Sequence, residues 1–136
     1  MVNYSYNYLK DITRYKGINF YLFLCYYLQG KMLRKPERKL WYLIKENTPE
    51  ILWNRVETTT IMGFPDLLGC HENCGFFTVE LKVSNRSKIK LSPHQISWNY
   101  KHALKGGRCF IIATPLEQTT LEIYGGRQSI DISNNI

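Results

Sequence analysis

The residues best suited to chemistry in this chain lie between positions 63 and 82. Gly63-Phe64-Pro65-Asp66-Leu67-Leu68 is followed, after a short polar loop, by Gly75-Phe76-Phe77-Thr78-Val79-Glu80-Leu81-Lys82. Side chains alternate faces along a strand, so Glu80 and Lys82 point one way while Phe77, Val79, Leu81 and Val83 point the other. One face is expected to be core and the other to carry the polar set. With Asp66 and Glu80 on neighbouring strands, two carboxylates meet in an all-oxygen site that repels itself without a cation and suits Mg²⁺. Lys82 then supplies a positive charge beside that site.

Pro65-Asp66 followed by Glu80-Leu81-Lys82 resembles the PD-(D/E)XK nuclease superfamily, the restriction-endonuclease-like fold. Gly63 before the Pro-Asp pair, Ser92-Pro93-His94-Gln95 after the lysine, and Gly106-Gly107 before an apolar run look like its virus-type replication-repair nuclease branch and the related phage Holliday-junction-resolvase-like proteins. The likeness covers residues 33–124. It implies an α/β fold with an αβββαβ core, a central mixed sheet flanked by helices. It also implies Mg²⁺-dependent hydrolysis of DNA phosphodiester bonds, with Mn²⁺ able to substitute, on branched, junction or flap DNA in phage or viral replication, recombination or repair.

By the same resemblance, Asp66, Glu80 and the backbone carbonyl of Leu81 are the metal ligands. Lys82 would steady a hydroxide or the charge growing on the phosphoryl oxygens, and the residue types leave open whether it acts as base or as electrostatic clamp. Gln95 is placed near the site, where it would orient the attacking water or a phosphate oxygen. Glu37 matches an early helical glutamate that reaches the metal. A two-fold homodimer would present two such sites to opposed strands. Two other readings remain at this point, a restriction-like or nicking nuclease of duplex DNA and a catalytically silent nucleic-acid-binding scaffold on the same fold. The intact acid, acid, lysine set argues against silence, because a binding protein has no need to hold uncompensated carboxylates against DNA.

A polyanionic partner also fits the charge. The 136 residues carry a formal charge of +7, unevenly spread. Lys82, Arg86, Lys88, Lys90, Lys101, Lys105 and Arg108 follow Glu80 with no further acid among them, and Lys31, Arg34, Lys35, Arg38 and Lys39 surround only Glu37. Arg34, Lys35, Arg86, Lys88 and Lys90 are the expected contacts to nucleic acid. The alternative is a solvated basic surface. Arg55 is a further cation within reach of a phosphate or, equally, of solvent alone. The length fits one domain, and 44% hydrophobic content marks it as globular. Cys25, Cys70, Cys74 and Cys109 are too few and too scattered for a disulfide framework, which points to a reducing compartment, the cytoplasm or a phage host's cytoplasm. Cys70 and Cys74 alone, with three residues between them, make a hairpin loop with thiols a better reading than a zinc site. No glycine-rich phosphate loop, dinucleotide fingerprint or histidine-based nucleophile relay is present, so no organic cofactor is expected.

Several elements must position these groups. Residues 1–31 are tyrosine-rich, and the apolar run 18–28 is shorter than the roughly 20 residues a membrane span needs. They read as an accessory helix or dimer contact, or else as a non-native leader with the start at Met32, and not as a membrane anchor. Residues 32–125 form the expected domain. Leu33, Leu40, Trp41 and Ile44 predict a helix over 33–47, with Glu37 on the same stripe and so facing inward, or else complementing the helix dipole from the first turn. Strands are predicted over 51–58, 65–68 and 75–83, with a hairpin loop at 69–75. Ser92, Pro93 and Gln95 spell a capped helix start, which gives Gln95 a structural role beside any chemical one. Ile96, Tyr100, Ala103 and Leu104 are that helix's expected buried face, and Gly106-Gly107 its end. The apolar stretch 108–113 predicts a strand covered on both faces, 120–124 an edge strand, and 126–136 a frayed tail.

Overall fold

Leu40, Trp41 and Ile44 fall on one arc at helical spacing, and in the computed structural model they are buried beneath helix α1 (Pro36–Asn47). The structure describes residues 36–84, 88–116 and 120–134. The stretch 1–31, with both of its readings, and Arg34, Lys35 and Arg86 lie outside these residues. Burying an Ile or Leu side chain contributes about 1.5–3 kcal/mol, so the arc is enough to dock the helix. Thr48, fully buried, closes it by donating from Oγ1 to the Ile44 carbonyl and accepting from the Trp53 indole.

A five-stranded mixed sheet follows, in the order β1 (Leu52–Arg55), β2 (Leu67–His71), β3 (Gly75–Ser84), β4 (Cys109–Pro115) and β5 (Glu122–Gly125). All neighbours are antiparallel except β3 and β4, which are parallel and joined through helix α2 (Pro93–Leu104). A parallel pair needs such a crossover, and the basic segment after β3 supplies the chain to make it. Period two then sorts β3. Phe77, Val79 and Leu81 join Leu67, Ile112 and Ile123 in the core under α1. Glu80 and Lys82 lie in register with Ile111 and Ala113 on the opposite face, where Ile89, Leu91 and Ile96 form a smaller apolar cluster. The face carrying the carboxylate is thus itself partly roofed.

Helix α2 begins as predicted. Ser92 Oγ accepts from the Gln95 amide at 3.2 Å, and Gln95 Oε1 accepts from the Ser92 amide at 2.9 Å. Ser92→Ala is expected to cost about 1 kcal/mol in chemical denaturation. An unchanged midpoint would mean that solvent satisfies the helix end equally well.

Four expectations need correction. Glu37 is exposed, because burial on α1 begins only at Leu40, one turn further on. Leu104 is 50% exposed, and the buried positions of α2 are Asn99 and Ala103. The hairpin loop is shorter than 69–75, since Cys70 and His71 remain in β2 and the turn is held by Cys74 and Asn73 amides donating to the His71 carbonyl and Nδ1. Finally, the stretch after Gly125 is not a loose tail through residue 134. A 3-10 turn (Gly126–Gln128) and a short helix α3 (Ser129–Asn134) pack against α2, with buried Ser129 donating to the Ile96 carbonyl. No described helix is long and apolar enough to cross a membrane.

Candidate active site

Asp66 precedes β2 directly, and the register that pairs Leu67 with Val79 and Leu68 with Thr78 carries it to a place beside Glu80. It is tied through both its backbone and its side chain. The Asp66 carbonyl accepts from the Val56 amide at 2.8 Å, and its carboxylate Oδ2 accepts from the Leu81 amide at 2.8 Å. The carboxylate is therefore held by the strand that bears its partner. Pro65, fully buried, and Gly63 determine how the chain arrives there. Gly63 has a φ of 78° and lies against the backbone of His94 and Gln95, so the turn ahead of Asp66 rests on the first turn of α2.

Glu80 is 1% exposed. Its Oε1 lies 3.4 Å from Lys82 Nζ and accepts from Gln95 Nε2 at 2.5 Å, while its Oε2 is buried with no hydrogen-bond partner. One amide thus serves two purposes, Gln95 capping α2 with its oxygen and gripping Glu80 with its nitrogen. Asn99 holds that residue from below, donating from Nδ2 to the Gln95 carbonyl at 2.9 Å. Burial pushes the Glu80 carboxyl up from 4.5 to about 8, the nearby Asp66 charge adds to the rise, and Lys82 opposes it.

An orphaned carboxylate oxygen beside a second carboxylate is what a divalent cation would relieve, so the donor set fits one. Among the described residues no three His, Cys, Asp or Glu side chains converge as a metal cage. A cation held by Asp66 and Glu80 would take its remaining ligands from backbone, water and substrate, the habit of Mg²⁺ rather than of zinc.

Of the residues singled out in the sequence, Asp66, Glu80, Lys82 and Gln95 come together, and Leu81 is joined to Asp66 through its amide. Lys88 and Lys90 are exposed on the segment leading to Ser92. Glu37 is exposed on α1 and is not among the residues brought together. Arg55 faces solvent with Glu57 at 3.7 Å. Sequence reasoning passed over Asn99, a fully buried amide in mid-helix, and its signal was there, since asparagine is a poor residue for a helix interior without a bonding task.

No family model and no curated protein matches the chain. Among solved structures, that of Archaeoglobus fulgidus Hjc, a Holliday junction resolvase from an archaeal hyperthermophile, is similar with a TM-score of 0.50 at 14% identity, over 65% of this chain and 72% of that one. The chain therefore has an α/β fold, a mixed five-stranded sheet flanked by helices, similar to the fold of that resolvase.

Proposed function

We propose that this chain is a divalent-metal-dependent endonuclease that hydrolyses phosphodiester bonds of DNA, with branched, junction or flapped DNA as its substrate. The observation that carries the reading is the buried, unbonded Oε2 of Glu80 next to the Asp66 carboxylate, with Lys82 and Gln95 on the same group. The fold it shares with a Holliday junction resolvase supports the substrate class, and the formal charge of +7 supports a polyphosphate partner.

In this reading Asp66 and Glu80, with the Leu81 carbonyl, hold Mg²⁺ or Mn²⁺, which when bound supplies Lewis acidity toward phosphate and water oxygens. The chain's own work is then positional and electrostatic. Lys82 sets a fixed positive charge 3.4 Å from Glu80 Oε1, where it would stabilise charge growing on the phosphoryl group. Gln95 locks the Glu80 rotamer. A water oxygen bonds to phosphorus and gives up one proton to solvent, the bridging P–O bond breaks, and the leaving oxygen takes up a proton from solvent. Exposed Lys88 and Lys90, together with Arg86, Arg34 and Lys35, would carry the flanking phosphates, and a homodimer would align two sites on opposed strands.

The test is cleavage of four-way, flapped and linear duplex DNA with Mg²⁺, with Mn²⁺ and with chelator, for wild type, Asp66→Ala and Lys82→Ala. Metal-dependent cutting that prefers the branched substrates and is lost in both variants is expected. Cutting that survives unchanged in both variants would remove this site from consideration, and tight binding with no cleavage would favour a scaffold.

A further inference from the structure

The connection from β1 to β2 carries at its middle two consecutive large apolar side chains that remain exposed among the described residues. Ile61 is 52% exposed and Met62 is 66% exposed. Their setting is ordered rather than slack. Thr58 Oγ1 accepts from the Thr60 and Ile61 amides, and the Phe64 amide donates to the Ile61 carbonyl at 3.4 Å. Phe64 packs edge-on against Trp98 at 5.2 Å between ring centroids, and Trp98 stacks on His102 at 3.8 Å. Gly63 presses on the His94 carbonyl. An apolar tip is thus mounted on α2 through Gly63 and Phe64 and leads within four residues to Asp66.

Its surroundings point to one kind of occupant. The tip and the exposed cations Lys88 and Lys90 are both tethered to the N-terminal turn of α2, the former through Gly63 and His94, the latter through Ser92. An apolar wedge flanked by phosphate-binding charge is how proteins open a base step. Side chains such as Ile and Met enter between bases while lysines hold the backbone on either side. Unstacking costs a few kcal/mol at a paired step and least where the stack is already interrupted.

We infer that Ile61 and Met62 form a wedge that inserts at an interrupted base stack, a branch point, nick or flap junction, and so selects the DNA whose scissile phosphate reaches Asp66 and Glu80. This rests on the nuclease reading for its placement of DNA, but its test does not need cleavage. Four-way and nicked DNA carrying 2-aminopurine beside the interruption is titrated with the full-length protein in chelator, and the fluorescence rise that accompanies unstacking is recorded together with binding by anisotropy. The Ile61→Ser/Met62→Ser double variant, whose melting temperature should match wild type because both positions are exposed, is expected to lose that rise. Its cleavage of branched DNA should fall about tenfold, the rate equivalent of ~1.4 kcal/mol, with linear duplex little affected. Leu104→Ser, which removes an exposed leucine from α2, serves as control and should leave the rise intact. A double variant that keeps the full rise overturns the wedge while leaving the nuclease reading untouched. A wild-type rise lost in the double variant, from a protein that cuts no substrate, upholds the wedge and fails the nuclease instead.

Discussion

Glu80→Gln is expected to stabilise the metal-free protein at alkaline pH and, in the same molecule, to reduce Mg²⁺-dependent cleavage about a thousandfold. The two effects have one cause. The carboxyl is buried, with one oxygen unbonded, and its pKa is raised to about 8. Below pH 4.5 the group is protonated whether the chain is folded or not, and its neutral form is the one the fold accommodates. As pH rises from 4.5 toward 8 the unfolded chain gives up this proton while the folded chain keeps it. The unfolded state then binds fewer protons, so stability falls with pH, and above about 8 the whole cost of the buried charge is felt. That cost is on the order of a few kcal/mol. Glutamine is neutral at every pH and nearly the same shape, so thermal melts of the variant between pH 5 and 9 should lack this slope. Mg²⁺ should raise the wild-type melting temperature most at the alkaline end, where the carboxylate is free to take it, and should leave the variant unmoved. Parallel slopes in the two proteins would show that some other group titrates.

The separation of faces along β3 was legible because it needs only the period of a strand. Val79 and Leu81 went to one side and Glu80 and Lys82 to the other, whatever the neighbours turned out to be. The start of α2 was legible for the same reason, its capping box being closed within four residues. What could not be read depends on contacts between distant segments. A helical wheel puts Glu37 on the arc of Leu40, Trp41 and Ile44, yet it is silent on where the covering surface ends, and here it ends before Glu37. Leu104 is exposed and Asn99 is buried because the 3-10 turn and α3 settle on the Asn99 side of α2, which the serines and asparagines of that tail did not announce. In the candidate site the residue types were evident and their bonds were not. That Gln95 would cap its helix and hold Glu80 with a single amide required the crossover to bring α2 back over β3.

Gly63 is where local backbone and site geometry meet, and Gly63→Ala is expected to be the most damaging glycine-to-alanine change among the described residues. Two costs add. At φ 78° the backbone is left-handed, which costs an L-residue about 1–2 kcal/mol. A Cβ there would also lie 2.2 Å from the His94 carbonyl oxygen, 2.4 Å from its carbon and 2.8 Å from the Gln95 nitrogen, all backbone of a capped helix with no rotamer to yield. Gly106 separates the terms, for it has a similar φ of 86° with nothing within 4 Å of the added atom. Gly106→Ala should therefore lose about 1 kcal/mol and Gly63→Ala about 3 kcal/mol or more in denaturant titration. Asparagine sharpens the contrast, because it tolerates left-handed backbone and should be accepted at 106 but not at 63. The functional consequence exceeds the thermal one. To make room, the turn must lift off α2, carrying Pro65 and Asp66 with it and breaking the 2.8 Å bond from the Leu81 amide that holds the carboxylate beside Glu80. At a temperature where Gly63→Ala is still folded, its cleavage should be down more than tenfold while that of Gly106→Ala is near wild type. Equal activities in the two folded variants would mean that the turn before Asp66 does not set the position of its carboxylate.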